Sequence, residues 1–265
     1  MVTSNDVLSD LAAEGEAIDG LVAAITPEQW QTPTPAEGWT VAHQIAHLTA
    51  TFRMAALAAG DPAAFTAMTS RLSPDFDANV VSAMAPFLAL PPDGLLAQFR
   101  QARAAAQGAL AAVPEGQAVP WLVRPLPAPV LAAAGMMELF GHGQDVADAL
   151  GVRREYTDRI GHLAFFAVRT WDFGYLARQL PVPDVAFRFE LTAPSGTVWR
   201  FGPDDAEQSV TGPAVDFCLL VTRRRNRADL ALKAVGEDAE QWLDLAQAYR
   251  GPAGPGRRPG QFAAA

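Results

Sequence analysis

Residues 129–151 read PVLAAAGMMELFGHGQDVADALG, and this stretch decides the fold class. Its pattern is helical from about Pro129 to Leu150 and stops at Gly151, a residue suited to closing a helix. Glu138 and His142 stand four apart within it, and Asp145 follows one turn on, so three polar side chains share a face. Helical bundles build metal sites from inward-facing side chains of this kind, drawn from different helices.

The segments on either side are also helical. Upstream, Val119 to Pro129 holds four prolines and Trp121 and reads as an extended loop. Before it, Pro91-Pro92-Asp93 opens a helix carrying Leu95, Leu96, Phe99, Ala102 and Leu110, which Pro114-Glu115-Gly116 ends. Ser73-Pro74 breaks a less regular stretch that predicts one or two short helices. Thr40 caps a helix running through Val41, Ile45, Leu48 and Phe52 towards Ala59, and Gly60-Asp61-Pro62 stops it. A first helix spans residues 4–25, separated from the Thr40 helix by the loop Gln31 to Gly38. Downstream, a further helix is expected from Thr157 to Arg178.

The texture changes at Pro181-Val182-Pro183. Val185 to Leu191 and Thr197 to Phe201 alternate with period two around the turn Pro194-Ser195-Gly196, so they predict a hairpin. A short strand near Gln208 to Thr211 is expected to join it. Helices are expected from Gly212 to about Arg224 and from Asp238 to Tyr249. The fold class is therefore mainly α, with a helical domain over 1–180, a small α+β domain over 181–250 and a flexible tail over 251–265. The aromatic side chains Phe187, Phe189, Trp199 and Phe201 read as core of the hairpin, since alternation demands an apolar face.

Composition narrows the function. Half of the 265 residues are hydrophobic, enough for a substantial core. No run reaches the roughly 18 apolar residues of a membrane span, and the acidic N-terminus lacks a signal-peptide core, so a cytoplasmic protein without a membrane partner is expected. A net charge of −9 disfavours nucleic acid. The basic run Arg223-Arg224-Arg225-Asn226-Arg227 reads as the end of a helix, where arginines meet the negative end of the dipole. Cys218, the single cysteine, lies in the apolar run Phe217 to Val221 and reads as a small packed hydrophobe.

On the Thr40 helix, His43 and His47 are one turn apart. With Glu138 and His142 they make an imidazole–carboxylate set that suits zinc, nickel, iron or cobalt better than magnesium or calcium. Taken alone, a Glu and a His four apart are equally a solvated hydrogen-bonded pair. His43 alone reads as a half-exposed helix residue and His162 as a packed histidine. Asp145 is either solvated or a partner that orients His142.

Gly38-Trp39-Thr40-Val41-Ala42-His43-Gln44-Ile45-Ala46-His47-Leu48 resembles a signature of the DinB-like, mycothiol-dependent maleylpyruvate isomerase superfamily. Met137 to Gly151 resembles its second metal-ligand helix, and Gly212 to Thr222 resembles the C-terminal domain of an actinobacterial branch. The resemblance implies an N-terminal four-helix bundle and a sterol-carrier-like C-terminal domain. It also implies one divalent metal, zinc foremost, held by His47, Glu138 and His142, and mycothiol as a thiol partner. Two positions depart from the pattern: Phe140 stands where relatives often carry tryptophan, and His43 where they often carry an acid. Three functions follow as expectations. The first is a metal- and thiol-dependent isomerase or S-transferase acting on a small electrophile, with His43 or Asp145 moving protons. The second is a thiol-independent isomerase or cyclase in biosynthesis. The third is a non-catalytic metal or small-ligand binding protein. The expected partner is a small molecule, and the chain is expected to be a monomer or homodimer.

Overall fold

The computed structural model describes residues 4–122, 124–249 and 251–262, in two compact units that divide between Arg153 and Arg154. The first is helical: α1 (Ser4–Val22), α2 (Val41–Gly60), α3 (Pro62–Thr69), α4 (Phe76–Leu88) and α5 (Pro92–Ala111). The two-residue strands β1 (Ala118–Val119) and β2 (Leu126–Pro127) pair antiparallel and lead into α6 (Ala128–Leu150). The proline-rich segment expected as a loop thus contains a minimal hairpin.

The long helices α1, α2, α5 and α6 form the bundle, with α2 packed on both α5 and α6 and α1 on both as well. Val7, Leu11 and Ile18 of α1, Ile45, Leu48 and Phe52 of α2, Phe99 of α5 and Leu139 and Phe140 of α6 are buried between them. Local chemistry sets the ends. The Asp61 and Asp75 carboxylates accept from Ala64 N–H and Ala78 N–H, 2.9 and 3.0 Å away, at the first turns of α3 and α4. Gly151 closes α6 at φ +65°, where a side chain would be strained. No single helix among the described residues is long and apolar enough to cross a membrane.

The second unit begins with α7 (Gly161–Arg169) and α8 (Phe173–Leu176) and continues through β3 (Phe187–Thr192), β4 (Val198–Phe201) and β5 (Gln208–Pro213). It closes with α9 (Ala214–Val221), β6 (Lys233–Val235) and α10 (Glu237–Leu245). The sheet order is β4-β3-β5-β6. β3 pairs antiparallel with β4, as the hairpin reading expects, but parallel with β5, so the chain leaving β4 must cross past β3 to the other side. Gly202 permits that crossing. Its φ is +84°, and a Cβ there would stand 2.0 Å from the Phe187 carbonyl oxygen. Phe189 of β3 meets Phe217 of α9 and Trp242 of α10 at ring separations of 5.6 and 5.3 Å, the centre of this unit's core.

Three expectations change here. The single helix foreseen over Thr157 to Arg178 is two helices. Trp171 between them gives its carbonyl to the Trp242 indole N–H at 2.9 Å, and the Gly174 backbone presses on that of Leu245. Because α7 packs on α9 and α8 on α10, the residues from 154 to 180 group with the sheet, whereas the sequence reading placed them with the bundle. Residues 251–262 are also held: Asn226 Nδ2 donates to the Arg257 carbonyl at 2.9 Å, and the Gly260 N–H reaches Asp229 at 2.8 Å.

Candidate metal centre

Two helices of the bundle bring the candidate ligands together. His47 projects from α2, and Glu138 and His142 from α6. The Nε2 atoms of His47 and His142 lie 3.4 and 3.3 Å from the same oxygen, Glu138 Oε2. Among the described residues this trio is the one group of His, Cys, Asp or Glu side chains whose donor atoms come within 4.8 Å of one another. The side chains are about a fifth exposed, so the cluster is sheltered but reachable.

The spacing fits a metal. Charge-assisted N–H···O⁻ bonds run at about 2.7–2.9 Å, shorter than either separation here. Donors that each sit about 2.0–2.1 Å from a tetrahedral zinc are about 3.3 Å apart. Burial works against a charge on Glu138. The imidazoles of His142 and His47 beside it outweigh burial and hold the carboxyl well below the usual carboxylate range. Two imidazoles and one carboxylate are a donor set that suits zinc, nickel, iron or cobalt, and three such donors would leave one position of a tetrahedral ion open.

Trp39 covers the trio. Its ring lies 5.9 Å from His142, nearly parallel, and 5.4 Å from His47. The loop before α2 holds it there: the Trp39 carbonyl accepts from Thr34 N–H at 2.7 Å and from the Thr34 hydroxyl at 3.0 Å, and Gly38 turns the chain at φ +76°. Phe140, the other aromatic of interest, is buried in the bundle core.

The remaining sequence candidates occupy different places. His43 is turned back on its own helix: its Nδ1 accepts from Thr40 N–H at 3.3 Å and lies 2.9 Å from the Thr40 hydroxyl. Burial lowers its pKa. It also lines a cavity of about 180 Å³ with Trp30, Gln31, Leu88, Leu90 and Leu95. Asp145 is fully buried, with Gln44 Nε2 3.5 Å from its Oδ2. His162 is buried in the second unit, as its apolar neighbours suggest. The sequence reading overlooked Gln44, whose Oε1 lies 2.5 Å from His142 Nδ1. Its only signal in the sequence is a neutral polar residue on an apolar helix between two histidines.

The chain is similar to several known proteins. An uncharacterized protein of Mycobacterium tuberculosis, in both the H37Rv and the CDC 1551 / Oshkosh strains, is 43% identical over 257 residues, covering 97% of this chain and all of the relative. The crystal structure of the mycothiol-dependent maleylpyruvate isomerase superposes with a TM-score of 0.57 at 17% identity, over 82% of this chain and 88% of that one. A histidine-to-alanine mutant of that enzyme matches equally well, at 16% identity. Residues 183–234 match a family described as wyosine base formation. Residues 11–147, which include every member of the trio, match the mycothiol maleylpyruvate isomerase N-terminal domain, and the chain belongs to that family.

Proposed function

We propose that the protein is a metal-dependent enzyme that uses a small thiol to isomerise, or to transfer sulfur to, a small electrophilic organic substrate. The convergence of His47 and His142 on one Glu138 oxygen carries this reading, because it provides three donors at metal spacing and leaves a position open. Family membership supports the thiol and the isomerase chemistry. A divalent metal bound there supplies the positive charge that keeps a coordinated thiol deprotonated at neutral pH.

The chain's own residues do the rest. Glu138 offsets part of the metal charge. Trp39 shields the imidazoles and presents an apolar surface to the substrate. For a conjugated enone, the thiolate sulfur forms a bond to the β-carbon and the π electrons move to the carbonyl oxygen. The carbon–carbon bond is then single and rotates. Collapse of the enolate expels the thiolate, so isomerisation consumes neither thiol nor proton. In a transfer reaction the enolate carbon instead takes a proton, a step we assign to His43, one turn before His47 on α2.

Elemental analysis of the purified protein tests the site. Wild type should carry about one zinc or other divalent ion per chain, and Glu138→Ala and His142→Ala should each lose it. Turnover of electrophiles should then require both the metal and an added thiol. Full activity of metal-depleted protein would sink the mechanism. Turnover unchanged without thiol would point to a thiol-independent isomerase or cyclase.

A further inference from the structure

We propose that Gln44 is a positioning residue for the metal centre, acting in a relay that runs from His142 through Gln44 to the buried carboxylate of Asp145. The inference rests on the metal reading of the trio. Gln44 is fully buried on α2, and its amide reaches in three directions. Its Nε2 lies 2.9 Å from Thr34 Oγ1 and 3.5 Å from Asp145 Oδ2. A carboxylate only accepts, so the group facing Asp145 must be the amide N–H. The Thr34 hydroxyl donates to the Trp39 carbonyl at 3.0 Å, which leaves its oxygen to accept from Gln44 as well.

The amide orientation is thereby set, and with it the tautomer of His142. Gln44 Oε1 can only accept, and it stands 2.5 Å from His142 Nδ1. Nδ1 therefore carries the hydrogen, and the lone pair is left on Nε2, the atom aimed at Glu138. This partner favours one tautomer and one orientation of the imidazole. Asp145 sits one hydrogen bond further back and polarises the amide, which raises the electron density that His142 offers. The same Thr34 that receives Gln44 also anchors Trp39, so the orientation of the ligand ring and the position of its cover share one network.

Zinc affinity, measured by competition with a chromogenic chelator on the full chain, tests the relay. Partners behind metal-bound histidines are worth about 10–100-fold in affinity. Gln44→Leu should lose affinity in that range. The paired exchange Gln44→Glu with Asp145→Asn keeps an acceptor against His142 Nδ1 and one buried carboxylate in the pair, while the bond to residue 145 reverses, its new amide now donating to the introduced carboxylate. It should bind zinc within about threefold of wild type. A folded Gln44→Leu protein with wild-type affinity overturns the relay. If Gln44→Leu does not fold, a paired variant that folds but binds zinc more than about tenfold weaker overturns it instead. A wild type that takes up no zinc removes the metal reading itself, which is a different result from wild-type binding with an unaffected Gln44→Leu.

Discussion

At the start of α2 one imidazole serves the backbone. His43 Nδ1 accepts the Thr40 N–H, so this ring replaces the glutamate that more often closes a capping box. Burial disfavours its charged form and moves its pKa below the ordinary 6.5. A proton titration followed by NMR should place His43 lower than an exposed histidine. The unfolded chain binds this proton more readily than the folded one, so His43 subtracts stability as pH falls through about 6.5 and has no such effect above it. The His43→Gln variant should therefore lose less stability than wild type on acidification. His47, Glu138 and His142 were named through a family resemblance, because a Glu and a His four apart are by themselves also a solvated pair, and the structure brings the three side chains together. Gln44 was not named. Its importance comes from contacts 98 and 101 residues away, which exist only once α2 and α6 are packed.

Among the elements, α1 and α5 are joined by charge as well as by core. Arg100 grips Asp19 with two bonds of 2.6 and 2.7 Å, and Arg103, itself buried, lies 3.9 Å from the same carboxylate. The Arg100 hydrogen bond is the main cause that lowers the Asp19 pKa below 3.8, against burial. The contribution is present above the unfolded value and is lost as pH falls through the lower folded one. Asp19→Asn should cost about 1–2 kcal/mol near neutral pH, at the modest end for a charged bond because Arg100 is half exposed. Urea unfolding should show the difference between the two proteins shrinking as pH falls below 3.8. Element types were legible wherever periodicity was long, as in α2, α5 and α6. The break between α7 and α8 was not, because Trp171 and Gly174 are held by α10 and its end, remote in sequence. β6, three residues long, has no room to show alternation and exists because β5 offers it an edge.

At the scale of the whole molecule, the candidate metal centre lies within the first compact unit. All three donors, Trp39 and the Gln44 relay lie before Arg153. A chain ending at Arg153 should therefore retain the metal stoichiometry of the full protein, as elemental analysis of the purified fragment would show. A folded fragment without metal would mean that residues beyond 153 complete the site. The boundary near 180 inferred from sequence followed the change from helix to strand, yet what divides the chain is packing: α7 and α8 have helical texture but bury their apolar faces against α9 and α10.

Cys218 lies sealed in the core of the second unit, its sulfur against the Ile160 carbonyl at 3.9 Å, and the chain has no other cysteine. Under the proposed chemistry, a chain whose one thiol is buried offers electrophiles no exposed sulfhydryl to alkylate and a small thiol no partner for a mixed disulfide. If the proposed small thiol is the co-substrate, reagents that attack sulfhydryls would deplete it and leave Cys218 untouched, so that turnover lost in this way returns with fresh thiol. The chain would then behave as a durable surface on which a replaceable nucleophile is used up.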